Sequence, residues 1–263
     1  MICEEQPNTM GNIIPTLIQT NNARTDTQSA LLQIRGLVRE YQVGDRMPVA
    51  ALNGVDIDIL SGEFVAITGH SGSGKSTLLN MIGLLDEPTQ GKIVFQGRDV
   101  SLLTERERTK LRLRSFGFIF QFFNLIESYT AEENIMLQLR LQGHSEAVSR
   151  KKTAEIFSFL GLEERAHLLP RQLSGGEQQR IAIGRAVAKD SVLILADEPT
   201  AHLDTENSRH VMNLLTQVNQ RFGKTIVLVT HEPDEAAKAT RQIYMADGKV
   251  IRIEHGSRGQ AVV

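Results

Sequence analysis

The 263-residue sequence predicts an α/β fold, and three observations carry that prediction. Three short apolar runs, EFVAIT at 63–68, SVLILA at 191–196 and TIVLVT at 225–230, lack polar alternation, as strands covered on both faces do. Segments with helical spacing of apolar residues alternate with these runs. Between the first and second runs, residues 104–114 and 130–160 are charged and helical in pattern, so a helical block is inserted into the β/α alternation.

The elements follow in order. Residues 1–30 are rich in Asn, Thr and Gln without a sustained period and read as a mobile leader. Apolar alternation then gives a strand over 31–41 and another over 47–60 around Asn53-Gly54, closed by a turn at Ser61-Gly62. The buried run 63–68 leads through a glycine-rich loop into a helix over 76–85. KIVFQGRDV at 92–100 reads as a strand leading to a turn. A phenylalanine-rich segment, 116–123, interrupts the helical block. A helix runs from Gly176 to about Lys189 and precedes the strand at 191–196. Val211, Leu214, Leu215, Val218 and Phe222 share one helix face, with Asp204 in position to cap it. After the strand at 225–230, Asp247-Gly248 marks a late hairpin. There is no internal repeat.

Composition narrows the function classes. Apolar residues make up 41% and charged residues 23%, which is ordinary globular usage and excludes fibrous or collagen-like chains. Basic and acidic residues nearly cancel, 29 against 31, so nothing draws the chain generally to nucleic acid or anionic lipid. The mixed charges of TERERTKLRLR read as a solvated helix face. The single cysteine, Cys3, makes no internal disulfide, and no apolar run reaches the roughly 18 residues of a membrane span. The expectation is a soluble protein of a reducing compartment.

Chemistry enters with GHSGSGKS at 69–76, which fits G-x-x-x-x-G-K-[ST]. Glycines at Gly69, Gly72 and Gly74 let the backbone curl so that several N–H groups, including those of His70, Ser71 and Ser73, face one anion. The helix N-terminus beyond adds partial positive charge. Lys75 reaches β- and γ-phosphates, and the Ser76 hydroxyl holds Mg²⁺. Average usage gives such a match by chance in on the order of one chain in a hundred of this length. Here a strand precedes it and a helix follows.

A second signal, VLILADEP at 192–199, ends a buried strand in two acids at the sheet edge where open α/β sheets bind ligands. Alone, it reads as a strand ending in solvated carboxylates. Beside a P-loop, Asp197 holds Mg²⁺ and Glu198 polarises the attacking water as general base. The third, LSGGEQQR at 173–180, places Ser174, Gly175 and Gly176 before a helix, a second anion-binding device more than ninety residues after the first.

Together and in this order, residues 69–77, 173–178 and 193–204 resemble the Walker A, signature and Walker B/D-loop segments of ABC-type ATPases. The resemblance covers about residues 32–253. It implies a P-loop NTPase (RecA-like) core with an antiparallel β subdomain and an inserted α-helical signature subdomain at about 121–189. The ATPase domain is then 31–255 and the tail 256–263. It also implies ATP and Mg²⁺ as cofactors, and a head-to-tail homodimer with each ATP held between one chain's P-loop and the other's signature loop. Thr77 completes the phosphate loop. Gln121 resembles the Q-loop glutamine that senses Mg²⁺ and the nucleophilic water. His231 resembles the switch histidine at the γ-phosphate, Asp204 the D-loop acid that works across the dimer, and Tyr41 the aromatic that stacks on adenine. Two departures stand out: LSGGE in place of the commoner LSGGQ, and AHLD in place of SALD or GNLD.

The stretches LLNMIGLLDEPTQGKI and FIFQFFNLIESYTAEENI are similar to the lipoprotein-release and macrolide-export subgroup. That likeness implies a separate membrane permease partner, docked on Phe122, Phe123 and Leu125, and a place on the cytoplasmic face of the inner membrane. A division-type ATPase, which passes a signal to a membrane partner instead of moving a solute, carries the same motifs. Soluble translation or chromosome types pair two such domains or add coiled coils, and neither is found here.

Overall fold

The computed structural model describes residues 30–256 apart from Val43, Asp45, Arg46 and Asp190. The expected leader, except Ala30, and the expected tail, except Gly256, lie outside the described residues, as does Cys3. The alternating segments form an antiparallel sheet. In it, β1 (Ala30–Tyr41) pairs with β2 (Val49–Leu60) on one side and β4 (Gln90–Phe95) on the other, and β5 (Arg98–Asp99) completes the order β2-β1-β4-β5. The expected single strand at 92–100 is therefore a hairpin. Gln96 and Gly97 both adopt positive φ, 48° and 76°, the geometry of a tight two-residue turn.

The apolar runs form the centre of a six-stranded sheet. Here β3 (Phe64–Thr68), β6 (Phe116–Ile119), β7 (Leu193–Asp197), β8 (Thr225–Val229), β9 (Arg241–Ala246) and β10 (Lys249–His255) take the order β10-β9-β3-β8-β7-β6. All neighbours are parallel except the β9–β10 hairpin. Both faces are covered, which explains the missing alternation. Phe64 and Ala66 of β3 join one hydrophobic cluster with helices of the inserted block, while Val65 and Ile67 join a second beneath the antiparallel sheet. Full burial of Phe64, Val65 or Ile67 contributes about 1.5–3 kcal/mol each.

β6 was not expected as a strand. Its sequence, FGFI, is too short and too uniformly apolar to show a period, and Gly117 argues against a strand locally. The structure shows why glycine stands there. A Cβ on Gly117 would lie 3.0 Å from Ala186 Cβ, so the edge strand and the helix behind it meet only across a missing side chain.

Helix α1 (Lys75–Ile82) stops three residues before the expected end at 85, because Leu84 turns to a φ of 55°. After α2 (Glu105–Ser115), the predicted helical run 130–160 is two helices, α3 (Ala131–Leu141) and α4 (Glu146–Leu160), parted at Gly143 with φ 88°. Their N-caps, Thr130 and Ser145, accept hydrogen bonds from Glu133 and Val148 backbone N–H groups. Helix α5 (Gly175–Ala188) packs on both, and α6 (Thr205–Phe222) buries the predicted Val211, Leu214, Leu215, Val218 and Phe222 face. A short helix, α7 (Pro233–Ala236), follows β8.

Candidate active site

The C-terminal ends of β3, β7 and β8 lie side by side, and the loops after them build the site. After β3 the chain curls at Gly69 (φ 149°) and Gly74 (φ 98°). A Cβ on Gly69 would lie 2.2 Å from the Met245 carbonyl oxygen, and one on Gly74 would lie 2.4 Å from that of Ala51, so backbone on two sides requires glycine at both. The β9–β10 turn braces the loop, Gly248 N–H donating to Ser73 O at 3.1 Å. Helix α1 begins with no side-chain cap and no acid in its first turn, leaving its N-terminal N–H groups for a ligand. Lys75 is only 7% exposed, and its ammonium donates to Gly69 O (2.9 Å) and His70 O (3.0 Å). His70 itself is exposed.

A cavity of about 520 Å³ opens over this loop, bordered by Ser71, Gly72, Gly74, Lys75, Ser76 and Thr77, with Glu198 and His231 opposite. That is within the range of small-molecule sites. From the cavity wall, Ser76 Oγ donates to Asp197 Oδ1 at 3.1 Å. Burial pushes the Asp197 carboxyl above its ordinary range and the neighbouring Glu198 adds to this, while the Ser76 hydrogen bond and the Lys75 charge act the other way. Glu198 leaves β7 with φ 43°, a left-handed conformation uncommon outside glycine, held by its N–H donating to Val229 O at 2.9 Å. His231 Nδ1 lies 3.3 Å from Glu198 Oε1, and its Nε2 lies 3.3 Å from Glu232 Oε1. The parallel β7–β8 register, Asp197 opposite Val229, brings this pair together across 33 residues of sequence.

Other sequence-predicted residues sit elsewhere. Ser174 caps α5 in a reciprocal box: Glu177 N–H donates to Ser174 Oγ (3.3 Å) and Ser174 N–H to Glu177 Oε2 (2.8 Å). Asp204 caps α6 through Asn207 N–H at 2.8 Å. The signature and D-loop turns touch: a Cβ on Gly176 would lie 2.1 Å from Asn207 Oδ1, and one on Gly175 would lie 3.5 Å from Leu203 and Phe123 carbons. Neither turn lines the P-loop cavity of its own chain. Gln121 follows β6, half-buried, and makes no side-chain hydrogen bond among the described residues. Tyr41 ends β1, its hydroxyl donating to Asp86 at 2.7 Å and its ring 4.5 Å from the Arg39 guanidinium, outside that cavity.

Gln179 went unnoticed in the sequence. Fully buried, it donates to Pro199 O (2.5 Å) and Phe120 O (3.3 Å), tying the turns after β7 and β6 to α5. The signal available was a polar side chain on the buried face of an otherwise apolar helix.

Residues 52–201 match the ABC transporter family. The chain is 46% identical over 221 residues to the macrolide export ATP-binding/permease protein MacB of Hyphomonas neptunium, covering 84% of this chain and 34% of that protein. It is 41% identical over 221 residues to the lipoprotein-releasing system ATP-binding protein LolD 1 of Rhodopseudomonas palustris, covering 84% of this chain and 98% of that one. The chain thus spans about a third of the length of its macrolide-export relatives and nearly the whole of its lipoprotein-release relative. Among solved structures, the dimeric ATP-binding cassette MJ0796 bound to ADP and Pi in a post-hydrolysis state superposes with a TM-score of 0.79 at 42% identity, covering 85% of this chain and 98% of that one. The bracing of a phosphate loop, the paired acid and histidine opposite it and these likenesses agree: the chain belongs to the ABC transporter family, as an ATPase cassette.

Proposed function

We propose that two copies of this chain close on two MgATP, hydrolyse them with Glu198 as general base, and thereby drive a membrane-embedded export partner. One observation carries the reading: Glu198, paired with His231 at 3.3 Å, faces the phosphate loop across the cavity, while the signature loop lies off it. A complete site then needs Ser174 from a second copy, consistent with the dimeric cassette it resembles. The division proposed is one ATPase domain at 31–255 with a helical subdomain at about 121–189.

Magnesium fits the donors present. Ser76 Oγ and the partly buried Asp197 carboxylate are adjacent hard oxygens, and Mg²⁺ commonly takes only one or two protein oxygens beside substrate phosphates. When bound, Mg²⁺ offsets charge on the β- and γ-phosphates. Lys75 exchanges the Gly69 and His70 carbonyls for phosphate oxygens. Glu198 takes a proton from water as the water oxygen bonds to the γ-phosphorus, and the bond from that phosphorus to the ADP oxygen breaks. His231 holds the Glu198 carboxylate and reaches the γ-phosphate, Gln121 approaches the water, and Tyr41 flanks the adenine. Phe122, 65% exposed, with Ile126 and Tyr129 also exposed and Leu125 partly buried, offers an apolar landing for the export partner. No described helix is long and apolar enough to cross a membrane.

The test is Glu198→Gln. Turnover falls by about 100-fold or more, ATP binding persists, and light scattering shows a dimer only with MgATP. Full turnover in this variant overturns the assignment of the base.

A further inference from the structure

We propose that Glu235 is a positioning residue for the hydrolytic step, its carboxylate bridging Thr200 and Thr230 so that Glu198 and His231 are held as one unit. The proposal rests on the reading of Glu198 as base. Glu235 is 7% exposed and sits in α7, four residues past His231. Thr200 Oγ1 donates to one of its oxygens, and Thr230 Oγ1 donates to the other at 2.7 Å. Thr200 lies two residues after Glu198 and Thr230 immediately before His231. Each arm of the bridge therefore ends beside one member of the reacting pair. Thr230 Oγ1 also accepts from Glu232 N–H at 3.0 Å, which fixes the backbone on the far side of His231.

A bridge is needed here for two reasons. Glu198 sits at φ 43°, a conformation that persists only when its surroundings over-determine it. A second cavity of about 390 Å³ borders the pair, sharing Glu198 and His231 with the P-loop cavity. Thr200, Thr230 and Glu235 border this cavity yet are themselves buried, so the bridge forms a fixed wall between the cavity and the pair. Among the described residues no cation pairs with Glu235, so its two oxygens are committed to the two threonines.

The experiment measures kcat, KM and ATP affinity on the full chain for Glu235→Ala, Glu235→Gln, Thr230→Val and the double variant Thr230→Val/Glu235→Ala. Glu235→Ala lowers kcat about tenfold, equivalent to about 1.4 kcal/mol, while KM and ATP affinity stay within twofold. Glu235→Gln, which keeps the size and one acceptor, recovers much of the loss and guards against a folding defect in the alanine variant. Thr230→Val matches Glu235→Ala, and the double variant loses no more than either. An unchanged kcat, a parallel loss of ATP affinity, or independent losses multiplying in the double variant each overturn the proposal. Failure of the base assignment shows separately, as turnover retained in Glu198→Gln.

Discussion

Two helices of this protein begin at glycine-rich turns, and they finish those turns in opposite ways. Helix α1 starts at Gly74 with no side-chain cap and no acid, and its lysine folds back on loop carbonyls, which phosphate would replace in the proposed reaction. Helix α5 starts at Ser174 with a closed capping box, and its Glu177 is paired with Arg165 at 2.9 Å. The first end is left uncapped, as the proposed phosphate site requires. The second is internally satisfied by its own capping box, and in the proposed dimer it would meet the ATP bound by another copy. The LSGGE departure belongs to this second design. Glu177 supplies the box, and burial, which alone would raise its carboxyl pKa, is outweighed by Ser174 and Arg165, leaving it below the usual range.

The comparison breaks most readily at Lys75. Lys75→Ala abolishes tight ATP binding, a loss of about 100-fold or more for charge-assisted contacts of this kind, read by fluorescent-nucleotide titration. Unchanged affinity removes the open-end reading of α1. Next is Gly176→Ala. The added methyl needs Asn207 to leave its place beside Asp204, and overpacking of this sort costs about 1–3 kcal/mol. Thermal denaturation reads the loss, and ATP-dependent dimerisation falls with it.

Ser174→Ala sharpens the contrast at lower cost. Removing the cap destabilises by about 1 kcal/mol, whereas ATP binding to the isolated chain is unchanged because α5 is not part of its own cavity. Dimerisation with MgATP is lost. If ATP binding by the monomer falls as well, the two ends do not divide the labour as described. The smallest effect is expected at Asp197. Its folded carboxyl is raised, so the folded state holds the proton to higher pH than the unfolded state. Folding is therefore penalised above the ordinary carboxylate range and not below it. Asp197→Asn raises Tm at neutral pH, the gain disappears in acid, and Mg²⁺-dependent turnover drops. A lower Tm at neutral pH contradicts the sign.

The P-loop was legible because its chemistry is contiguous: the glycines, lysine and serine lie within eight residues, and a local turn must place them together. The two-sided burial of β3, β7 and β8 was equally plain from their unbroken apolar runs. β6 was not, because four residues around a glycine display no period, and only the approach of Ala186 explains that glycine. The split of 130–160 at Gly143 was missed because polar helical pattern continues across it.

Sequence alone thus determined which elements exist where hydrophobic periodicity or backbone chemistry is local, and it determined the glycine-rich loop between β3 and α1. Tertiary structure decided what lies across from it. The pairing of Glu198 with His231 depends on parallel strand register, and the Thr200–Glu235–Thr230 bridge depends on where a four-residue helix lands. The physical reason is range. Turn geometry and burial patterns act between residues a few positions apart. Hydrogen bonds between loops follow from how whole strands align, and no short window of sequence carries that alignment.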